Sequence, residues 1–252
     1  MRIVCMIPAR LLSSRFPKKI LATLGGKPLL QWVWESAIAT QSFDEVVIAV
    51  DAEETADLVR SFGGRCIMTS PLCLSGTDRL VELVQTSKID GDIFVNWQGD
   101  EPFIHREMID DLLQSVHEEG ADVWTLKKKI ECVEQVTSIQ YAKVVTDAEG
   151  YALFFSRSPI PCYRDALDVE KTIYYKHVGI YAFTKGAILR MATLAPCALE
   201  LAEQLEQLRF LYHALKIKVH ETCHEVQGID LPEHLSMAEE LIRKQRPSVV
   251  VI

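Results

Sequence analysis

The sequence predicts an α/β protein, a three-layer sandwich built around a mostly parallel sheet, with a smaller β-rich second lobe. Over the first 118 residues, short apolar runs alternate with helical patterns, which favours parallel strands joined by right-handed crossovers. These runs are apolar throughout, as expected of strands that are buried on both faces. Beyond residue 120 the pattern changes, and strand-like segments follow one another with few helices between them.

The N-terminal half contains four predicted strands, at residues 3–7, 46–50, 65–69 and 92–97. The helices of this half are predicted at residues 28–39, 52–62, from about 77, and at 105–118. Pro28 suits the first turn of a helix, where its missing N–H costs nothing. Gly63 and Gly64 suit the end of a helix, because glycine takes the left-handed conformation readily.

The C-terminal half contains predicted strands at residues 121–130, 143–147, 151–155 and 174–183, with a hairpin turn at 147–151. A long helix is predicted at 199–215, followed by a strand near 216–219 and a final helix at 232–243. The predicted domain organisation is a core at 1–120, a second lobe at 121–215, and a segment at 216–252 that returns to the core.

The segment from His220 to His224 matches the H-E-x-x-H pattern of zinc peptidases. That pattern binds zinc on a helix, where residues i and i+4 share a face. On a strand, four residues span about 13 Å, so the two imidazoles cannot reach one ion. Residues 216–219 alternate between lysine and apolar β-branched side chains, which predicts a strand. We therefore interpret the match as accidental and rank the zinc peptidase last among the alternatives.

The composition is that of an ordinary soluble globular protein, with 48% hydrophobic and 25% charged residues. No run approaches the roughly 18 apolar residues that a membrane span requires, and the first ten residues read as a strand rather than a signal peptide. The net charge of −8 argues against a nucleic-acid partner. The seven cysteines form no C-x-x-C pair, which indicates reduced, mostly structural thiols in a cytoplasmic protein.

Positive charge is concentrated at the start of this acidic chain. Up to Gln31 there are six basic residues and no acidic one, which indicates a site for a small polyanion. The loop after the first strand carries Arg10, Arg15, Lys18 and Lys19, and it has the glycine pattern of neither dinucleotide-binding folds nor P-loop NTPases. Arginine forks and lysine charges suit phosphate oxygens, so this loop is predicted to bind a triphosphate.

The loop after the fourth strand, Gln98-Gly99-Asp100-Glu101-Pro102, places two carboxylates at a strand end. In open parallel sheets ligands bind beyond the carboxyl ends of the strands, so these carboxylates are expected to face the basic loop. Mg²⁺ explains that arrangement, because it binds one or two carboxylates together with substrate phosphates. We favour Asp100 over Glu101 as the ligand. The alternative is that the carboxylates cap a helix N-terminus.

Seven motifs, taken together, carry a resemblance to a known family. In chain order they are IPARLLSSRFPKK, LSGTDR, NWQGDEP, FSRSPIP, HVGIYAF, LEQLR and GIDLPE. Their order and spacing resemble the 3-deoxy-manno-octulosonate cytidylyltransferases, also called CMP-Kdo synthetases, over about residues 3–242. The wider relatives are the sugar nucleotidyltransferases, which include CMP-sialate synthetase. The resemblance implies a Rossmann-like sheet of the nucleotide-diphospho-sugar transferase type.

The resemblance implies an enzyme that transfers CMP from CTP to the anomeric hydroxyl of the acid sugar Kdo and releases pyrophosphate, for lipopolysaccharide biosynthesis. It also implies a homodimer that assembles through the second lobe. By this resemblance, CTP would be bound by Pro8, Arg10, Arg15, Lys19, Ser75, Gly76 and Gln98. Kdo would be faced by Arg157, His177, Tyr181, Glu206 and Gln207. Mg²⁺ would be held by Asp100 and Asp230, and the catalytic residues would be Lys19, Asp100 and Asp230.

The sequence departs from the family pattern at three places. Lys18 and Ile20 stand where the family has glycine and proline, Leu72-Cys73-Leu74 replaces Asp-His-Gln, and Cys162-Tyr163 replaces Trp-Asp. Glycine takes a positive φ easily and lysine rarely does, so Lys18 bears on the conformation of the phosphate loop. Two other functions stay open. One is the same chemistry on another acid sugar such as a sialic acid, and the other is a non-catalytic nucleotide-binding module.

Overall fold

The structure is a computed structural model that describes residues 1–12, 16–164, 173–225, 228–229, 234–236 and 238–240. Its strands are β1 (Ile3–Ala9), β2 (Thr23–Leu24), β3 (Lys27–Pro28), β4 (Glu45–Val50), β5 (Cys66–Met68), β6 (Ile93–Asn96), β7 (Val123–Lys129), β8 (Lys143–Thr146), β9 (Ala152–Ser156), β10 (Tyr175–Thr184) and β11 (Ile217–Glu221). Its helices are α1 (Leu29–Thr40), α2 (Glu53–Ser61), α3 (Gly76–Gln85), α4 (Arg106–Leu113), α5 (Val133–Thr137), α6 (Lys185–Met191), α7 (Ala198–Glu203) and α8 (Gln207–Tyr212), with a short 3-10 helix at Lys19–Leu21. None of these helices is long and apolar enough to cross a lipid bilayer.

One sheet of nine strands organises the described residues. Its spatial order is β11-β7-β10-β6-β1-β4-β5, with β8 and β9 paired beside β10. The strands β6, β1, β4 and β5 are mutually parallel, which confirms the interpretation of the strand–helix alternation in the first 118 residues. The predicted α/β fold class with a mostly parallel core is therefore confirmed.

Apolar side chains cover both faces of this sheet and make it the middle of three layers. In β1, Cys5 and Ile7 belong to a cluster that includes buried residues of α1, α2 and α4. Val4 and Met6 belong to a second cluster that includes residues of α3, α6 and α8. All four side chains are fully buried, and the two pairs alternate as the two-residue period of a strand requires. The uniform apolarity of the predicted strands therefore reflects burial on both faces.

The second half of the chain enters the same sheet through β10, which runs antiparallel to the three strands with which it pairs, β6, β7 and β8. On one side β10 pairs with β6, with Tyr181 opposite Asn96. On the other side it pairs with β7, and the register shifts between Val178 and Tyr181. The strand that carries His177 and Tyr181 therefore lies directly beside the parallel core. The domain boundaries at 120 and 215 stay a prediction, since strands from both sides of them share this sheet.

The prediction of one long helix at 199–215 is wrong, because this segment forms the two short helices α7 and α8. The backbone leaves the helix at Gln204, which takes a left-handed conformation with φ 52°. Leu205 is buried after this break, and the carboxylate of Glu206 turns towards the start of α3. The sequence reasoning also missed α5 and α6. Of the predicted final helix, residues 234–236 and 238–240 are described and helical; the rest lies outside the described residues.

The strand predicted near 216–219 is confirmed as β11, which runs parallel to β7. Ile217 and Val219 are buried while His220 is half-buried, and the Nε2 atom of His220 lies 2.7 Å from the Ser115 hydroxyl. The second histidine of the pattern, His224, lies beyond the end of the strand. Among the described residues, no group of three or more His, Cys, Asp or Glu could hold a metal ion. The H-E-x-x-H match therefore lacks the helical geometry that zinc binding requires.

Candidate active site

The loops that follow β1, β5 and β6 meet around a cavity of about 300 Å³ at the carboxyl ends of these parallel strands, where ligands bind in such sheets. Its lining residues are Pro8, Arg10, Lys19, Ile20, Leu74, Ser75, Gly76, Arg79, Gln98, Gly99 and Asp100. The structure thus brings together all the described residues to which the sequence assigned CTP binding, namely Pro8, Arg10, Lys19, Ser75, Gly76 and Gln98, and it adds Asp100. Arg15 lies outside the described residues.

Two glycines let the loops after β5 and β6 approach Pro8 of β1. A Cβ atom added to Gly76 would lie 2.9 Å from Cγ of Pro8 and 3.3 Å from the side-chain oxygen of Gln98. A Cβ atom added to Gly99 would lie 2.7 Å from the carbonyl oxygen of Pro8. Carbon atoms in contact normally stay about 3.5–4.0 Å apart. Both positions therefore require glycine for packing, and the sequence reasoning assigned no role to Gly99.

Arg79 is a site residue that the sequence reasoning missed. It lines the cavity, is only 2% exposed, and donates to the Asp51 carboxylate at 2.8 Å and to the Thr69 hydroxyl at 2.6 Å. The other oxygen of Asp51 accepts a hydrogen bond from the backbone N–H of Leu11 at 2.9 Å. Through Asp51, the guanidinium therefore connects the loop after β1, which carries Arg10, to the loop after β5. The one available signal was a charged residue next to the apolar positions Leu80, Leu83 and Val84 of α3.

Lys19 and Asp100 form an ion pair inside the cavity. Lys19 is only 8% exposed, and it is held in the 3-10 helix that follows Lys18. Lys18 itself takes the left-handed conformation, with φ 54°, so the lysine adopts the backbone that the family glycine would take easily. The ammonium of Lys18 pairs with Glu54 at 2.8 Å on the surface. The departure at this position therefore leaves Lys19 directed at Asp100.

The described residues that precede Asp230 pack against the loop of Asp100. The backbone N–H of Ile229 donates to the carbonyl oxygen of Asp100 at 3.0 Å. A Cβ atom added to Gly228 would lie 4.0 Å from the same oxygen and 3.9 Å from Cγ of Glu101. Asp230 is itself outside the described residues, so its role as a metal ligand stays a prediction.

His177 and Tyr181 lie together on β10. Their ring centroids are 5.4 Å apart, and Phe155 packs edge-on against the imidazole. The Nε2 atom of His177 lies 3.0 Å from the Thr125 hydroxyl, and burial lowers the pKa of His177 to about 3. Burial also raises the pKa of Tyr181 well above its ordinary value, and the negative charge of Glu206 adds to this shift. Both side chains are therefore neutral hydrogen-bonding groups at physiological pH.

Glu206 and Gln207 stand at the start of α8. The Glu206 carboxylate accepts hydrogen bonds from the hydroxyls of Ser75 at 3.0 Å and Thr77 at 2.6 Å, and burial raises its pKa despite these two bonds. Gln207 is 4% exposed, and its amide nitrogen has no hydrogen-bond partner among the described residues. A buried donor of this kind is uncommon in folded proteins. The structure thus joins Glu206 to the cavity edge and leaves Gln207 with an unused donor.

Arg157 is not brought to this cavity. Its guanidinium donates to backbone carbonyl oxygens of Glu203 at 2.8 Å, Ile139 at 2.9 Å and Gln204 at 3.3 Å. It lines a different depression, together with Gln140 and the C-terminal end of α7. The contact between Arg157 and the acid sugar therefore stays a prediction without support from this arrangement.

A family match defines the class of protein to which this fold and cavity belong, the cytidylyltransferases. The sequence profile of the family "Cytidylyltransferase" matches residues 4–217. At 13% identity, the structure of a 4-diphosphocytidyl-2C-methyl-D-erythritol synthase from Anaerococcus prevotii shares the fold, with a TM-score of 0.64 over 96% of this chain and 98% of its own. The class thus rests on the family match, while the distant structure supports the fold alone.

The particular family follows from nearer relatives. The 3-deoxy-manno-octulosonate cytidylyltransferase of Geobacter sulfurreducens is 44% identical over 96% of this chain and 100% of its own length, and that of Thermodesulfovibrio yellowstonii is 42% identical over 95% and 97%. A solved structure of CMP:2-keto-3-deoxy-manno-octonic acid synthetase complexed with CTP has a TM-score of 0.92 and 38% identity, covering 98% of this chain and 100% of its own. The chain belongs to the 3-deoxy-manno-octulosonate cytidylyltransferase family and is a nucleotidyltransferase.

Proposed function

We propose that the protein transfers CMP from CTP to the anomeric hydroxyl of Kdo, giving CMP-Kdo and pyrophosphate, and that it serves lipopolysaccharide biosynthesis. The observation that carries this proposal is the cavity in which Arg10, Lys19, Gln98 and Asp100 converge at the carboxyl ends of parallel strands. Cations for a triphosphate, an amide for a base and a carboxylate for a metal ion all line this one space. The names of the relatives at 42–44% identity support the choice of CTP and Kdo.

The protein's own residues act mainly by positioning and by neutralising charge. The anomeric hydroxyl attacks the α-phosphorus in line and loses its proton to water, while the bond between the α-phosphorus and the pyrophosphate oxygen breaks. No covalent intermediate with the protein is required. Lys19 lies inside the cavity, where it offsets the negative charge that grows on the leaving pyrophosphate. Arg10 lines the cavity and is exposed, and its guanidinium would hold the outer phosphates. Gly76 and Gly99 let the loops after β5 and β6 pack closely against Pro8, and this packing shapes the wall of the cavity.

Asp100 fits a magnesium ligand. It lines the cavity, its side chain is 28% exposed, and carboxylate oxygen is the donor that Mg²⁺ prefers. Asp230, which follows the Ile229 contact to Asp100, is the proposed second ligand. When bound, Mg²⁺ supplies charge neutralisation at the phosphates and lowers the pKa of the attacking hydroxyl. Lys19 forms an ion pair with Asp100, so its ammonium lies next to the proposed metal ligand.

The acid-sugar side is proposed at the edge of the cavity formed by β10 and α8. His177 and Tyr181 are neutral there, which suits a sugar with many hydroxyls better than a second set of charges. The unused amide donor of Gln207 is available to a sugar oxygen or carboxylate. Substrate competition separates Kdo from a sialic acid, because the two alternatives share the same chemistry at phosphorus.

Pyrophosphate release tests the function directly. The purified protein is incubated with CTP, Kdo and Mg²⁺, beside reactions that contain sialic acid or the other three nucleotides. Release with CTP and Kdo alone is the expected result. Release with sialic acid instead would move the assignment to another acid sugar, and binding of CTP without release from any sugar would favour a non-catalytic binding module.

Asp100→Asn tests the assignment of the metal ligand. Turnover is expected to fall by at least about a hundredfold, because a positioned charge in the site is lost, while CTP still binds. Glu101→Gln is the matched control, since this neighbouring carboxylate does not line the cavity. A near-normal rate in Asp100→Asn at saturating Mg²⁺ would show that the metal assignment is wrong.

A homodimer and a cytoplasmic location complete the proposal. In the described part of the chain, most of the exposed large apolar side chains lie in residues 121–215, including Ile139, Leu153, Ile173 and Leu201. Exposed apolar surface marks association sites. All seven cysteines are free thiols, which suits a reducing compartment. Light scattering on the purified protein tests the dimer, and a monomer at micromolar concentration would contradict it. Cell fractionation tests the location.

A further inference from the structure

The carboxylate of Glu206 is attached to the N-terminus of α3, which is far from it in the sequence. Its Oε1 atom accepts a hydrogen bond from the Ser75 hydroxyl at 3.0 Å, and its Oε2 atom accepts one from the Thr77 hydroxyl at 2.6 Å. These contacts span 131 and 129 residues of chain. Both carboxylate oxygens are thus engaged by the two residues that flank Gly76.

The turn that carries Gly76 is fixed in two independent ways. Ser75 caps its own helix, because its hydroxyl accepts from the backbone N–H of Asp78 at 3.0 Å and the Asp78 carboxylate accepts from the N–H of Ser75 at 2.9 Å. A hydroxyl has one proton to donate, and Ser75 donates it to Glu206. The capping box therefore fixes the turn to α3, while Glu206 fixes it to the second half of the chain.

We propose that Glu206 is a positioning residue for the CTP subsite and acts through Ser75 and Thr77 to hold Gly76 against the cavity wall. The resemblance implies a contact between Glu206 and the acid sugar, whereas the geometry engages both oxygens with residues on the nucleotide side. This inference rests on the proposed function and deepens it. Glu206, which follows β10 in the chain, thus influences the affinity for CTP even when no sugar is present.

The packing around Gly76 makes this control effective. A carboxylate is a strong acceptor for hydroxyl donors, and negative charge is favourable near a helix N-terminus. Gly76 fits against Pro8 with no room for one additional carbon, so a small displacement of the turn opens or closes that contact. Without the carboxylate, the capping box still holds the first turn of α3, but it does not restrain the distance to Pro8.

Calorimetric titration with CTP alone, without sugar, tests the proposal. Glu206→Ala is expected to raise the Kd for CTP about tenfold or more, because hydrogen bonds to a charged acceptor carry about that factor in affinity. Glu206→Gln keeps the shape of the side chain and one acceptor oxygen, so its Kd for CTP is expected to lie between that of the unaltered chain and that of Glu206→Ala. In steady-state assays, the KM for CTP is expected to rise by a larger factor than kcat falls, because the loss is in ground-state binding.

Thr77→Val tests whether Glu206 acts through its partners. The substitution keeps the shape of the side chain and removes one donor, so the effects of Thr77→Val and Glu206→Ala on the Kd are expected to be less than additive. Glu203→Gln is the matched control. Its carboxylate accepts from the Ser156 hydroxyl and from the backbone N–H of Arg157 instead, and the Kd for CTP is expected to stay unchanged.

An unchanged Kd for CTP in Glu206→Ala, with a raised KM for Kdo, would overturn the proposal and leave Glu206 as a contact to the sugar alone. Fully additive effects of Thr77→Val and Glu206→Ala would also overturn it. Urea unfolding of each variant shows whether the chain stays folded at the titration temperature. If the unaltered chain itself does not bind CTP, the proposed function fails first, so the two failures are distinguishable.

Discussion

Substitution of Gly76 by alanine tests the packing of the cavity wall without altering any polar group that lines the cavity. The added Cβ atom would lie 2.9 Å from Cγ of Pro8 and 3.3 Å from the side-chain oxygen of Gln98. Ordinary carbon contacts are about 3.5–4.0 Å, so the two groups must separate by about 0.6 Å or more. Pro8 belongs to β1, which is paired with β4 and β6 on its two sides, so the start of α3 is the part that moves.

The free-energy cost of Gly76→Ala is the difference between two opposing contributions. Overpacking by one carbon costs typically about 1–3 kcal/mol, and replacing glycine by alanine in a helix recovers up to about 1 kcal/mol. The φ of Gly76 is not positive, so alanine meets no backbone strain there. The net cost is about 1–2 kcal/mol. If α3 shifts to relieve the contact, that cost appears in ligand binding, as a rise of about 5–30-fold in the Kd for CTP.

The assay is calorimetric titration with CTP, together with thermal unfolding of the same samples. Gly186→Ala is the matched control, because this glycine is also in the first turn of a helix and a Cβ atom there would meet only the Thr184 hydroxyl, at 3.9 Å. Its Kd for CTP should be that of the unaltered chain. A Kd in Gly76→Ala within about twofold of the control would refute the view that this contact shapes the nucleotide site.

Three further predictions concern stability and access. Burial lowers the pKa of His177 to about 3, against an ordinary 6.5, so between these pH values the unfolded chain binds a proton that the folded chain does not. The free energy of unfolding is therefore expected to fall by up to about 1.4 kcal/mol per pH unit below pH 6.5. Urea unfolding at pH 7 and pH 5 is expected to show that His177→Gln removes this pH dependence. An equal slope in both chains would contradict this. Lys143 is fully buried and its ammonium donates to three backbone carbonyl oxygens, so Lys143→Met is expected to lower the free energy of unfolding by about 3 kcal/mol; a loss below about 0.5 kcal/mol would show that other donors replace it. A thiol reagent is expected to label the exposed Cys162 and Cys223 in the folded protein but not Cys5, since burial raises the pKa of that thiol; mass spectrometry that finds Cys5 modified at the same rate would contradict the burial.

Local sequence patterns predicted the strands of the parallel core, because a strand that is buried on both faces contains apolar residues at every position. The runs at 3–7 and 46–50 contain only apolar side chains, and both became central strands. The strand at β11 was equally readable, since Ile217 and Val219 alternate with lysine. In these segments the local preference and the tertiary environment agree.

The broken helix between α7 and α8 was not predictable from local pattern. Gln204, Leu205 and Glu206 are all compatible with a continuous helix, and no glycine or proline marks a break there. The break is accompanied by contacts to residues 131 and 129 positions away in the chain. A single sequence read locally contains no signal for such contacts.

Site residues could be predicted where their function requires a particular residue type. They could not be predicted where the three-dimensional arrangement decides what a side chain contacts. Lys19 and Asp100 were recognisable from charge and loop position, and the structure brings them into contact. Arg79 reads as one more charge on a helix, and only its burial reveals that it joins two loops. Arg157 has the right charge for an acid sugar, but its direction is set by three carbonyl oxygens that no motif records.

The junction between β6 and β10 has a consequence for how such enzymes diversify. Four backbone pairs, from Tyr181 with Asn96 to Thr184 with Ile93, attach the strand that carries His177 to the nucleotide-binding half. Backbone ladders do not depend on side-chain identity, so the segment from β7 to the end of β10 could be exchanged for that of a relative with a different sugar without redesign of the pairing between β6 and β10. Specificity would then evolve by exchange of strands at this ladder, while the loops that line the nucleotide cavity stay unaltered.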